Sequence, residues 1–194
     1  RVLCVGDSLT AGGYPGQLQA LLGAERAAVK DFGVKGAGVV AGPQCAAYGR
    51  LARLAPELQL RPPDAVVALL GTNDAHAEVW AEAPFERECA ALLRRLRGPE
   101  PCRLVLAGLP PPAAPGNRWG VDAGIVQGPL RGAVRRAADS LGLPCFDAGA
   151  VVGLDHLEDG VHLTHAGSQA LAGLVYSTLL EHAEAAGFPG LTVG

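Results

Sequence analysis

Short apolar runs alternate with longer amphipathic stretches along this chain, and the alternation predicts βαβ units around a parallel sheet. Residues 2–5 read as a first strand. Residues 14–22 read as a helix, with Pro15 in its first turn and Gly23 closing it. Residues 27–32 make a second strand, more polar than the rest because it carries Lys30 and Asp31. Within residues 45–60, Leu51, Leu54 and Leu58 recur at helical spacing, and Pro56 should end or kink that helix. Residues 64–70 (DAVVALL) form the clearest buried strand. Over residues 84–97, Phe85, Cys89, Leu92, Leu93 and Leu96 share one helical face. Residues 103–107 read as a fourth strand, 121–141 as containing a helix rich in Arg and Ala, and 144–147 as a short fifth strand. A last helix is expected over residues 165–185, capped by Thr164.

Five strands and about five helices imply an open α/β sheet with helices on both faces. Ligands of such sheets bind outside the carboxyl ends of the strands. No internal repeat or linker interrupts the pattern, so residues 1–194 are read as a single domain, and the Pro-rich residues 109–115 as a loop.

Composition narrows the function classes. The 194 residues are 49% apolar, which is enough for a substantial core and excludes wholesale disorder. A net charge of -3 gives no basic excess for nucleic acid, and no apolar run reaches the ~20 residues of a membrane span. The five cysteines (Cys4, Cys45, Cys89, Cys102 and Cys145) form no C-x-x-C pair, so free thiols are expected, with Cys102–Cys145 the one bridge to consider. The chain opens directly on a strand without Met, which reads as a trimmed N-terminus; a cytoplasmic location is slightly favoured.

Three segments carry candidate chemistry. Gly6-Asp7-Ser8-Leu9 sets a serine where the first strand ends. Gly71-Thr72-Asn73-Asp74 again follows an apolar run. Asp159-Gly160-Val161-His162 supplies a carboxylate and an imidazole three residues apart. Nucleophilic acyl transfer needs a hydroxyl, a base to take its proton, a carboxylate to fix the base's tautomer, and donors for the oxyanion. Ser8, His162 and Asp159 fit the first three roles. The Gly36 and Ser8 backbone amides and the Asn73 side chain fit the last. The combination predicts a serine esterase without cofactor or metal.

Each piece has a plainer use. Ser8 on its own serves equally well to cap the next helix, Asp159 and His162 could be a solvated turn, and Asn73 an ordinary turn residue. The elbow of α/β-hydrolases needs G-x-S-x-G, and position 10 is Thr, so a different turn presents Ser8. Asp7 is expected to shape that turn through backbone hydrogen bonds. His156, His162 and His165 with Asp155 and Asp159 match no compact metal-ligand spacing.

The ordered set resembles the SGNH-hydrolase superfamily, the GDSL esterases and lipases, from Gly6 to Gly167. Gly6-Asp7-Ser8-Leu9 matches the first block literally and implies Ser8 as nucleophile. Residues 32–38 (FGVKGAG) lack the usual leading Asn and following Thr of the second block, and imply Gly36, with Gly38 as the alternative, as an oxyanion donor. Gly71-Thr72-Asn73-Asp74 matches the third block and implies Asn73 as another. Asp159-x-x-His162 matches the last and implies the base and its partner, although Leu163 stands where Pro is frequent. The resemblance implies a flavodoxin-like three-layer α/β/α sandwich around a five-stranded parallel sheet, in the compact esterase form.

The substrate expected is a small ester of short or medium acyl chain, because no long apolar lid is present. The loops at residues 75–83 and 110–120, with Trp80 and Trp119, are expected to select it. A thioesterase, a carbohydrate O-deacetylase or an acyltransferase would use the same site, and a non-catalytic binding module would keep only the sheet edge.

Overall fold

Val2 and Cys4 turn to one face of the first strand and Leu3 and Val5 to the other, and all four are buried. A strand covered on both faces belongs at the centre of a parallel sheet. In the structure, a computed structural model describing residues 1–42, 46–48, 58, 62–98 and 104–183, that strand is β1 (Val2–Gly6). It pairs in parallel with β2 (Val29–Gly33) on one side and with β5 (Ala65–Leu69) on the other. The sheet continues through β6 (Leu104–Leu109) to β7 (Cys145–Asp147), every pairing parallel. A separate two-residue pair joins β3 (Ala37–Gly38) to β4 (Ala46–Ala47).

Helices cover both faces, as the element order predicts. Helices α1 (Tyr14–Leu22) and α5 (His165–Ala183) pack over the face bearing Val2, Cys4, Val67 and Leu106. Helix α2 (Glu82–Arg97), together with the segment from α3 (Ala123–Ile125) to α4 (Arg131–Asp139), covers the face bearing Leu3, Val5, Val66 and Val105. Burying each Leu or Val of these layers contributes roughly 1.5–3 kcal/mol, which sets the scale for any core truncation.

Several boundaries differ from the sequence reading, each for a local reason. Strand β2 begins at Val29, not residue 27, because the Ala27 N–H closes a turn on the Gly23 carbonyl. Gln19 brackets the junction, donating to the Ala27 carbonyl at 2.9 Å and accepting from Val29 N–H at 2.8 Å. Helix α2 starts two residues before Pro84, which then lies in the first turn, where its missing N–H costs nothing.

The helix expected within residues 121–141 is present as α4, preceded by the short α3. Asp122 caps α3 by accepting from Ile125 N–H at 2.9 Å, and a π-turn at Val126–Leu130 separates α3 from α4. Pro129 lies in that turn; it has no N–H to donate, and its ring would meet the preceding turn of a regular helix, so the widened turn relieves both.

Ala46 and Ala47 pair as β4 and do not open a helix at residue 45; Leu58 is helical, and the rest of that expected helix, Pro56 included, lies outside the described residues. Thr164 caps α5 as expected, its Oγ1 accepting from Gly167 N–H at 3.0 Å. Cys4, Cys89 and Cys145 are free thiols, and burial pushes Cys4 and Cys89 up to about 12. Cys45 and Cys102 lie outside the described residues. No helix among the described residues is long and apolar enough to cross a membrane.

Candidate active site

The sheet order β2-β1-β5-β6-β7 reverses direction between β1 and β5. Loops leaving adjacent strands at such a reversal diverge to opposite faces and leave a crevice at the carboxyl edge. Ser8 follows β1, Gly36 follows β2, Asn73 follows β5, and Asp159 and His162 follow β7. All the candidate residues therefore gather on one edge.

A short hydrogen-bonded turn presents Ser8. Asp7 Oδ1 accepts from Leu9 N–H at 2.9 Å, while the Asp7 carbonyl accepts from Thr10 N–H at 3.2 Å and Ala11 N–H at 3.0 Å. Asp7 thus shapes the turn, as the sequence predicts. Its carboxyl is buried and pushed up to about 7 by desolvation, opposed by the Leu9 bond and reinforced by Asp74.

Ser8 Oγ lies 3.1 Å from His162 Nε2, and His162 Nδ1 lies 2.9 Å from Asp159 Oδ2. A second tight turn makes this alignment. Asp159 Oδ1 accepts from His162 N–H at 2.8 Å and Val161 N–H at 3.1 Å, and Gly160 takes the left-handed φ of 85° that the reversal needs. The D-x-x-H spacing therefore lets one carboxylate hold the backbone with one oxygen and the imidazole with the other. With the proton fixed on Nδ1, Nε2 is left to accept from the Ser8 hydroxyl.

Desolvation works to raise Asp159, but the His162 backbone and ring, the Trp119 indole and the Val161 amide all hydrogen-bond to it and hold it well below the usual carboxylate range. It remains charged at any working pH.

The oxyanion candidates sit on the facing loops. Gly36 has φ of 73° in a turn closed by Ala37 N–H on the Val34 carbonyl at 3.0 Å. Its N–H, like that of Ser8, has no partner among the described residues. Asn73 donates one amide hydrogen to the Ala37 carbonyl at 2.9 Å, leaving the other for a ligand. Gly38, the alternative to Gly36, is buried in β3. Among the described residues, no group of three or more His, Cys, Asp or Glu could hold a metal ion.

A cleft of about 510 Å³ opens over Ser8 and His162, walled by Gln17, Lys35, Arg118 and Trp119. Trp119 lines this cleft, as expected of the 110–120 loop. Trp80 instead lines a smaller cavity of about 60 Å³ with Val40, Asn73, Val79 and Phe85. One arrangement has no signal in the sequence. Arg118 at 3.3 Å and Trp119 Nε1 at 2.8 Å both donate to Asp159 Oδ2 from some forty residues upstream. Only the adjacency of β6 and β7 brings the two loops together.

The match to known proteins agrees with this geometry. The profile of the GDSL-like Lipase/Acylhydrolase family covers residues 4–170. The aryl esterase of M. smegmatis superposes with a TM-score of 0.77 at 24% identity, covering 92% of this chain and 97% of that one. A carbohydrate acetylesterase family member from Sinorhizobium meliloti superposes at 0.72 with 25% identity, covering 93% and 97%. An acetylxylan esterase of Xylanibacter ruminicola is 25% identical over 213 residues, 92% of this chain but 43% of its own length, so the chain spans less than half of that relative. The five-stranded parallel sheet flanked by helices is the fold of these structures. Blocks, fold and profile agree, and the chain belongs to the GDSL-like lipase/acylhydrolase family.

Proposed function

We propose that the chain is a serine ester hydrolase working through an acyl-enzyme on Ser8. The observation that carries this reading is the line Ser8 Oγ, His162 Nε2, His162 Nδ1, Asp159 Oδ2, with steps of 3.1 Å and 2.9 Å at the floor of an open cleft. Ser8 attacks the ester carbonyl while His162 takes its proton, and the Gly36 and Ser8 amides with the free Asn73 hydrogen receive the oxyanion. The alcohol leaves with the proton from His162. Water, deprotonated by the same imidazole, then releases the acid and restores Ser8. Asp159, held ionised, stabilises the imidazolium in both halves.

A more specific reading is O-deacetylation of a hydroxylated, carbohydrate-like alcohol. The cleft walls favour it, because Gln17, Lys35, Arg118 and Glu158 offer hydrogen bonds to hydroxyl groups. The cavity of about 60 Å³ beside Asn73 suits a short acyl group. An acetylxylan esterase and a carbohydrate acetylesterase family member among the relatives support the same direction.

The test is a panel of p-nitrophenyl esters of increasing chain length, run beside acetylated xylan and an acyl thioester. Highest kcat/KM is expected on acetyl or butyryl esters, with acetate released from the polysaccharide. A maximum on long-chain esters contradicts the short-acyl assignment, and a preference for the thioester contradicts the alcohol assignment.

A further inference from the structure

The Asp159 carboxylate has more partners than a triad needs. Oδ1 is occupied by the Val161 and His162 amides, and Oδ2 receives the His162 ring nitrogen at 2.9 Å. The Trp119 indole N–H reaches that same Oδ2 at 2.8 Å, the shorter of the two ring contacts. The indole and imidazole rings stand nearly perpendicular, at 82°, with centroids 4.9 Å apart. Trp119 is 45% exposed, so burial of its ring does not account for its placement.

The loop is built to deliver this side chain. Asn117 accepts from the Trp119 and Val121 amides at 3.1 and 3.2 Å, and donates to the Ala114 and Val121 carbonyls at 2.8 and 2.7 Å. Ala114 N–H then bonds the Gly160 carbonyl at 2.8 Å, fastening the Trp119 loop to the turn between Asp159 and His162. Arg118 lies over the indole, 4.9 Å from its centroid, and reaches Asp159 Oδ2 at 3.3 Å, but at 72% exposure its ion pair contributes little.

We propose that Trp119 is a positioning residue for His162, acting through Asp159; this rests on the ester-hydrolase reading above. The indole N–H takes the second lone pair of Oδ2, so the carboxylate cannot swing its oxygen away from Nδ1. The indole ring blocks rotation of the imidazole out of line with Ser8. This role is separate from the place of Trp119 in the cleft wall, so loss of the indole N–H alone falls on kcat.

Trp119→Phe keeps a ring and removes the N–H, and Trp119→Ala removes both. Trp119→Phe should lose about tenfold in kcat on a small aryl ester, equivalent to ~1.4 kcal/mol, with KM and Tm close to wild type, and Trp119→Ala should lose more in kcat and also raise KM, because it opens the cleft wall. The acid limb of the pH–rate profile should move to higher pH in both, because an Oδ2 freed of the indole concentrates its charge on the imidazolium. A Phe variant with wild-type kcat and pH profile overturns the proposal, as does a loss confined to KM or Tm. Ser8→Ala assayed alongside separates the two levels. If Ser8→Ala remains active, both the hydrolase reading and this proposal fail; if it is inactive while Trp119→Phe behaves as wild type, only the role of Trp119 fails.

Discussion

Asp74 holds Val39 and Val40 by their backbones: each of its carboxylate oxygens accepts one of their N–H groups, both at 2.8 Å. Its neighbour Asn73 grips the Ala37 carbonyl at 2.9 Å. Two consecutive side chains of the turn after β5 thus fasten the segment just beyond Gly36 at three points. The proposed oxyanion donors follow different strands, and this clamp sets the spacing between them.

Asp74→Asn keeps one acceptor and turns an NH2 toward a backbone N–H. An unsatisfied buried donor costs ~1–3 kcal/mol, and displacement of the loop by a fraction of an ångström costs about 10–100-fold in kcat. Urea unfolding together with kcat on a short ester measures both. Wild-type values for both would remove the clamp from the account.

Asn73→Ala removes the free amide hydrogen and the bond to Ala37. Loss of one oxyanion donor corresponds to ~100–1000-fold in kcat, about 3–4 kcal/mol, with KM little changed. A drop of less than about threefold is too small for an oxyanion donor and would assign Asn73 to loop structure alone.

Burial raises the carboxyl of Asp7 to about 7 and that of Asp74 to about 6, both well above the usual carboxylate range. Between pH 4 and 7 the folded chain holds protons that the unfolded chain has released, so unfolding becomes easier as pH rises. The stability tied to these carboxyls is complete below the unfolded value and is lost as pH rises through 6 and 7. Asp7→Asn keeps the Oδ1 acceptor for Leu9 and cannot titrate. Its unfolding free energy should fall less than that of wild type between pH 5 and 8. An equal or steeper fall contradicts the assignment of raised carboxyls.

What the sequence made legible follows from how local each signal is. Strand β1 and helix α1 stand where their patterns place them, because the apolar run, Pro15 and Gly23 mark their own boundaries. The D-x-x-H turn was equally readable, since Asp159 bonds to residues two and three positions on. Strands β3 and β4 are two residues each, too short to leave any periodicity. The π-turn at Pro129 leaves no separate signal, because the flanking apolar residues keep a helical pattern through it. The Trp119 contact to Asp159 joins two loops forty residues apart, and nothing local to either records it.

Ser8 Oγ, aligned by His162 from 154 positions further along the chain, is proposed as the atom that takes the acyl group. The direct measurement is labelling by a fluorophosphonate probe, with the modified residue mapped by mass spectrometry and Ser8→Ala assayed in parallel. The account predicts stoichiometric modification at Ser8, and in the variant no labelling, an unchanged fold and a loss of at least ~1000-fold in ester hydrolysis. Modification at another residue, or a Ser8→Ala variant that turns over esters at the wild-type rate, would contradict it.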